Sequence, residues 1–211
     1  MSISPALFPE LITAINSQIT EHEAAVTELD QAIGDGDHVF NLQRGLQALL
    51  LAKEDISALE WPAAWQKIGM ILMASVGGAS GSLYATLFMS LSKNSKNPID
   101  QSQFADAFNM AIEAVKLRGK ADQGEKTMLD VLIPVADCLK SAAENHLDLA
   151  ATLSQVCQTA DQGVEATRDM LATKGRASFL GERSRGHIDA GAKTAQLMLA
   201  AIAETLNKHN L

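Results

Sequence analysis

Three aspartates stand close together early in the chain: Asp30, Asp35 and Asp37, in the run LDQAIGDGDH. Carboxylate oxygen is the ligand that hard divalent cations prefer, and magnesium usually takes one or two carboxylates together with phosphate oxygens and water. Gly34 and Gly36 let this short segment turn tightly enough to aim alternate carboxylates at a common centre. The same residues also fit a solvated Asp-Gly turn. An EF-hand does not fit, because the acidic positions, the Gly and the closing Glu are missing at the required offsets. Crowding favours the metal reading, since a cation relieves repulsion among three carboxylates better than water does. A nucleotide beside them, with about three or four negative charges of its own, calls for two cations rather than one.

Three further segments carry groups suited to an anion. Gly77, Gly78, Ala79, Ser80 and Gly81 lead into a helix, where small residues permit close approach and free N–H groups attract phosphate. A tight helix–helix turn uses the same residues. This is not a Walker loop, because no Gly-Lys-Ser/Thr follows, and no strand precedes it as a Rossmann turn would require. The third segment offers Gly119, Lys120 and Gly124 ahead of Thr127, Met128 and Asp130. Thr127 suits a helix cap and Met128 a core position as readily as a ligand contact. The fourth, TKGRASFLGERSRGHIDAG, is long for a connector and holds Arg176, Ser178, Arg183, Arg185, His187 and Asp189. Arg176 is able to clamp a phosphate or to form a surface salt bridge. His38 is placed to ligate metal, accept a proton or cap the next helix; standing just after Asp37, it suits supporting a carboxylate or facing a phosphate. Asn41 lies about one turn further on, within reach of the same place.

Helical elements must position these segments. Leu7, Leu11, Ile15, Ile19 and Val26 recur at helical steps after a Ser4 cap and Pro5, which predicts a helix over about 5 to 28. Similar patterns predict helices over about 39–53, 60–75, 81–92, 100–117, 127–144, 148–172 and 191–208, the sixth kinked at Pro134. No segment shows sustained period-two alternation, and no internal repeat or linker divides residues 1–211, so one domain is expected. The expected fold is all-α: an eight-helix antiparallel up-and-down bundle. Alternate loops of such a bundle lie at one end. The four segments above are alternate loops, so they are expected to meet at one rim, with both termini at the other.

Composition narrows the partners. The chain has 211 residues, a formal net charge of −8 and 47% hydrophobic residues, which predicts a packed globule and argues against nucleic acid. With aromatics at 4%, the core must be built from Ala, Leu, Ile, Val and Met, which suits helix packing. Cys138 and Cys157 read as buried thiols of a reducing cytosol. The N-terminus lacks the marks of a signal peptide, and no run reaches the ~18 apolar residues of a membrane span. A soluble, cytoplasmic protein is expected.

Taken in order, LDQAIGDGDH, Asn41 to Gly45, SVGGASGSL, RGK with GEKTMLDVL, and KGRASFLGERSRGH with Asp189 resemble the nucleotide-binding L subunit of bacterial dihydroxyacetone kinases. The resemblance spans roughly residues 29 to 194. It implies a barrel-like helical bundle with ADP or ATP at one rim. It implies two magnesium ions on Asp30, Asp35 and Asp37, and nucleotide contacts at His38, Asn41, Ala79, Ser80, Gly119, Met128, Arg176 and Asp189, beside the Gly78 and Thr127 of the loops above. It implies a separate K-type subunit that holds dihydroxyacetone, and, in the phosphotransferase-system-dependent form, an M subunit that recharges the bound ADP. A stand-alone chain of this kind resembles that form more than the ATP-exchanging, fused kinases. A kinase subunit for another short ketose, such as erythrulose, would look alike. So would a nucleotide-sensing subunit that binds a transcription activator, and a homodimer is compatible with either. Val39 stands where this family often has Gly.

Overall fold

A computed structural model describes residues 3–97 and 99–209; Pro98, at the end of the polar break after the fourth predicted helix, lies outside them. The described residues are all-α, with ten α-helices and three 3-10 segments. The helices are α1 (Phe8–Glu21), α2 (Glu23–Ile33), α3 (His38–Leu51), α4 (Lys53–Ser57), α5 (Trp61–Ser75), α6 (Gly78–Asn94), α7 (Gln101–Gly119), α8 (Leu129–Glu144), α9 (Leu149–Ala166) and α10 (Ala190–Lys208).

The differences from the predicted helices have local causes. The first predicted helix is two, broken at His22, whose φ of −100° and ψ of 8° leave helical geometry. The His22 backbone N–H and ring Nδ1 both donate to the Gln18 carbonyl, so the break leaves that acceptor satisfied. α2 then runs on to Ile33, past the predicted end, and carries Asp30 in its last turn. The connector KEDIS coils into α4. The glycine-rich loop is itself the first turn of α6, which starts at Gly78 and not at 81. α9 stops at Ala166, six residues short of the prediction at 172, and tightens into a 3-10 turn at Thr167–Asp169.

Neighbouring helices pack in chain order, α1 on α3, α3 on α5, and so on to α9 on α10, and α10 returns to α1 and closes the ring. α2 prolongs α1 along the same neighbours, α3 and α10. A core of Ile, Leu, Val and Ala fills the interior, joined by Trp61, Tyr84 and Phe108. Burial of such side chains, at about 1.5–3 kcal/mol each, is the main force holding the helices. The first and last described segments lie at the same pole: His209, just past α10, bonds Glu10 in the first turn of α1 at 2.7 Å, and Trp61 Nε1 donates to the Ile3 carbonyl. Cys138 and Cys157 are free and only half-buried, not fully buried as read from sequence. No described helix is long and apolar enough to cross a membrane.

α8 continues through Pro134, which has no N–H to give to the carbonyl of Asp130. At that carbonyl α9 makes its close approach: a Cβ on Gly163 would lie 2.6 Å from Asp130 O and 3.0 Å from Val131 Cα. Both neighbours are backbone and have no rotamer by which to yield. Gly163→Ala is therefore expected to destabilise the fold by about 1–3 kcal/mol, although alanine favours helix by about 0.5–1 kcal/mol. Urea unfolding followed by circular dichroism checks the sign.

Candidate functional site

Each of the four singled-out segments touches the next. Asn41, near the start of α3, packs against the glycine-rich turn so closely that a Cβ on Gly77 would lie 2.3 Å from its Oδ1. Gly119, at the end of α7, approaches Leu83 of α6, with 3.3 Å from a Cβ to Leu83 Cδ2. Gly191 of α10 lies against Met128 at the start of α8. Arg176 of the fourth segment reaches back to the first, with Nη2 3.0 Å from Asp35 Oδ2. The four loops therefore close a circuit at the end of the bundle opposite the termini.

The acidic corner is the first station on that circuit. One oxygen from each of Asp30, Asp35 and Asp37 lies within 4.8 Å of the others. Asp30 sits in the last turn of α2 and not in the loop proper, and its Oδ2 accepts the backbone N–H of His38 at 3.1 Å. Gly34 folds back over it; a Cβ there would lie 2.2 Å from Asp30 Oδ1. Gly36 takes a φ of 77°, the left-handed region that glycine enters without strain. Asp37 occupies the N-cap position of α3 but makes no side-chain capping bond, so its carboxylate is left for other work. At 4.8 Å in water, two like charges repel by roughly 1 kcal/mol per pair. The donor set is oxygen only, which suits magnesium. Two oxygens on one magnesium are at most about 4.2 Å apart, so a slight closure or a second ion accommodates the spread seen here.

His38 turns inward. Its Nε2 lies 2.9 Å from Thr194 Oγ1 on α10, and burial holds its imidazole below the usual pKa against the opposing pull of Asp30 and Asp37. It is thus a neutral ring at pH 7 whose backbone N–H steadies Asp30. Ala79 is exposed and Ser80 half-exposed on the first turn of α6, where Gly78 has a φ of 65° and no side chain caps the free N–H groups. Met128 is buried, and the Thr127 hydroxyl accepts the Leu129 N–H at 3.1 Å, the helix-start bond its sequence position suits. Arg176 is largely exposed and forms the salt bridge to Asp35, one of its two readings from sequence. Asp189 caps α10, its Oδ2 accepting from Ala192 N at 2.7 Å.

Two buried charged residues shape the rim: Asp130, already singled out in the third segment, and Lys126, which the sequence does not mark. Asp130, buried, accepts the N–H groups of Gly124 at 2.5 Å and Thr127 at 2.7 Å and so shapes the third loop. Lys126 is only 1% exposed and donates to the backbone carbonyls of Thr167 and His187. An isolated buried ammonium costs several kcal/mol, which its carbonyl partners offset.

The match to known proteins covers most of the chain. The family model described as the DAK2 domain matches residues 32–204. The chain belongs to the DAK2 domain family. Among its relatives, the ADP-binding subunit DhaL of a PEP-dependent dihydroxyacetone kinase of Listeria innocua is 38% identical, over 89% of this chain and 90% of that one. The ADP-binding subunit DhaL of the Escherichia coli PEP-dependent enzyme is 33% identical, over 96% and 98%. The dihydroxyacetone kinase of C. freundii, solved in complex with AMP-PNP and Mg2+, shares the fold of this DAK2 chain with a TM-score of 0.74 at 22% identity. The match covers 97% of this chain but only 34% of that one, so the chain spans about a third of that enzyme.

Burial, with repulsion from Asp130 and Asp30, pushes the Asp189 carboxyl up to about 7, against the cap bond to Ala192 and the attraction of Lys126. In the unfolded chain it titrates near 3.9. Between those values the folded chain holds a proton that the unfolded chain lacks, so stability falls as pH rises through about 4 to 7. Asp189→Asn keeps the cap and removes this cost. With metal and nucleotide stripped, its melting temperature is expected to exceed wild type by about 5 °C or more at pH 8 and to match it at pH 4. Calorimetric scans at the two pH values decide.

Proposed function

We propose that this chain is the nucleotide-binding subunit of a dihydroxyacetone kinase, holding ADP or ATP at the rim and passing a phosphoryl group to dihydroxyacetone on a separate K-type subunit. A PEP-dependent form accords with the names of the two DhaL relatives above, and in this reading an M-type subunit recharges the ADP. The single observation that carries the reading is the circuit of loops: three converging carboxylates stand next to an uncapped helix N-terminus on one rim. The first is a place for hard cations and the second a place for phosphate.

Two magnesium ions on Asp30, Asp35 and Asp37 would neutralise phosphate charge as it shifts during transfer. The chain's own groups do the rest. Backbone N–H groups at Gly78, Ala79 and Ser80 receive phosphate oxygens. Arg176 is exposed enough to exchange Asp35 for a phosphate, and Asp35 is thereby released toward the metal. The His38 N–H keeps Asp30 aimed while its ring, bonded to Thr194, fixes the start of α3. Asn41, Gly119, Thr127, Met128 and Asp189 are the residues assigned in this reading to contact the nucleotide. No side chain here serves as a nucleophile. Transfer rests on positioning and charge neutralisation, with the acceptor hydroxyl brought to the open rim by the partner.

Asp37→Ala is expected to lower magnesium-dependent ADP affinity at least about 100-fold while helical content is retained. Titration calorimetry measures the first and circular dichroism the second; undiminished ADP binding would count against the metal assignment. Mixing the wild-type chain with a K-type subunit, dihydroxyacetone and a phosphoryl source is expected to yield dihydroxyacetone phosphate. A chain that only senses nucleotide yields none.

A further inference from the structure

Among the described residues, the largest fully buried side chain belongs to a lysine. Lys126 takes a φ of 62°, unfavourable for any residue with a Cβ, and places a cation where a methionine of similar length would fill the space without charge. Its hydrogen bonds go to backbone carbonyls: Thr167 at 2.5 Å, His187, and Arg168 at 3.5 Å. Thr167 and Arg168 are where the chain leaves α9, and His187 is where it returns toward α10. The segment between, about 168 to 187, carries Arg176 out to Asp35 and back.

Other bonds converge on the same neck. Gly186 N donates to Arg168 O at 2.8 Å, Asp189 N to Thr167 Oγ1 at 3.0 Å, and Ala172 N to Ser184 Oγ at 3.0 Å. Glu125, the residue before Lys126, accepts from Thr173 Oγ1 at 2.8 Å and pairs with Lys174 at 3.3 Å, just before the turn at Gly175 that leads into Arg176. Two consecutive residues of the third loop thus hold the departing strand of the fourth, and one of them, Lys126, also holds the returning strand.

We propose that Lys126 is a positioning residue for the nucleotide: its ammonium fixes both roots of the 168–187 excursion to the third loop and so sets where Arg176 and Asp189 stand relative to Met128. The proposal rests on the nucleotide reading above. Without this tie the neck loses its shared donor, and Arg176 and Asp189 must be ordered by the nucleotide itself, which weakens binding. The three aspartates hang on α2, the turn after it and the start of α3, and the Arg176–Asp35 salt bridge is their tie to the excursion.

The test is Lys126→Met in the full chain, read three ways. Helical content is expected to match wild type, and Mn2+ alone, followed by electron paramagnetic resonance, to bind no more weakly than in wild type, since freeing Arg176 only unpairs Asp35. Magnesium ADP affinity is expected to fall at least about tenfold, with amide exchange at 168–187 faster by a similar factor and α3, α5 and α6 unchanged. A folded variant that keeps wild-type ADP affinity and exchange overturns the proposal, as does a loss of protection spread evenly over all helices. If the variant does not fold, the wild-type amides of Ala172, Gly186 and Asp189 decide, measured without nucleotide. Slow exchange supports a neck already tied, and exchange at the rate of an open loop overturns it. Wild-type chain that binds no magnesium ADP would overturn the nucleotide reading and this role with it, whereas equal binding by wild type and variant removes only the role of Lys126.

Discussion

Negative charge concentrated at one end of a helical bundle is the constraint on which the rest of this rim depends. Asp30, Asp35 and Asp37 bring their oxygens within 4.8 Å of one another, and the chain as a whole is already acidic. Such a corner opposes a polyphosphate unless cations stand between them. The fold answers the charge at two of the three carboxylates without burying it. A backbone N–H from His38 steadies one carboxylate, the Arg176 guanidinium meets a second, and the third is left at a helix start where no capping bond engages it. The uncapped first turn of α6 lies alongside, held there by the packing of Asn41 on Gly77. In the proposed reading, cation and phosphate would take adjoining places built from different elements.

Holding those places together is the work of the closed ring of helices. Each loop belongs to a different pair of helices, so the rim is only as well defined as the packing beneath it. Glycine sets several of the close approaches: Gly45 lies against Val76, Gly163 against the Asp130 carbonyl, and Gly77 against Asn41. The fourth loop is the exception, since its 3-10 segment, Arg176–Ser184, projects from the bundle and has few core residues of its own. Polar ties at its neck take over, with a buried lysine at their centre.

Helices with an unbroken apolar stripe were legible in the sequence, and so was the grouping of alternate loops, because periodicity and chain order need no tertiary information. The break at His22 was hidden because the stripe steps seven residues from Ile19 to Val26 and skips the turn where the helix bends. Asp30 lies on α2 because Leu29 and Ile33 carry the apolar stripe on from Val26, past the Asp-Gly run that reads as a loop. Gly78 and Gly81 masked the start of α6, being poor helix formers; Gly81 is set here by close packing on Val76 and Gly78 by its φ of 65°. Lys126 was invisible for another reason. Charged residues are read as solvent-facing, and only the meeting of three chain segments supplies the carbonyl partners that bring this one inside. The family resemblance carried the metal and nucleotide roles further than the residues alone, which left the Asp-Gly run and the glycine run each open to a plain turn.

Diffraction from crystals grown with Mn2+ and ADP, recorded at the manganese absorption edge, reaches the central claim directly. The account predicts anomalous peaks bracketed by Asp30, Asp35 and Asp37, with the ADP phosphates running from those peaks to the backbone of Gly78, Ala79 and Ser80. Manganese bound at other carboxylates, or ADP lying away from the first turn of α6, would contradict it.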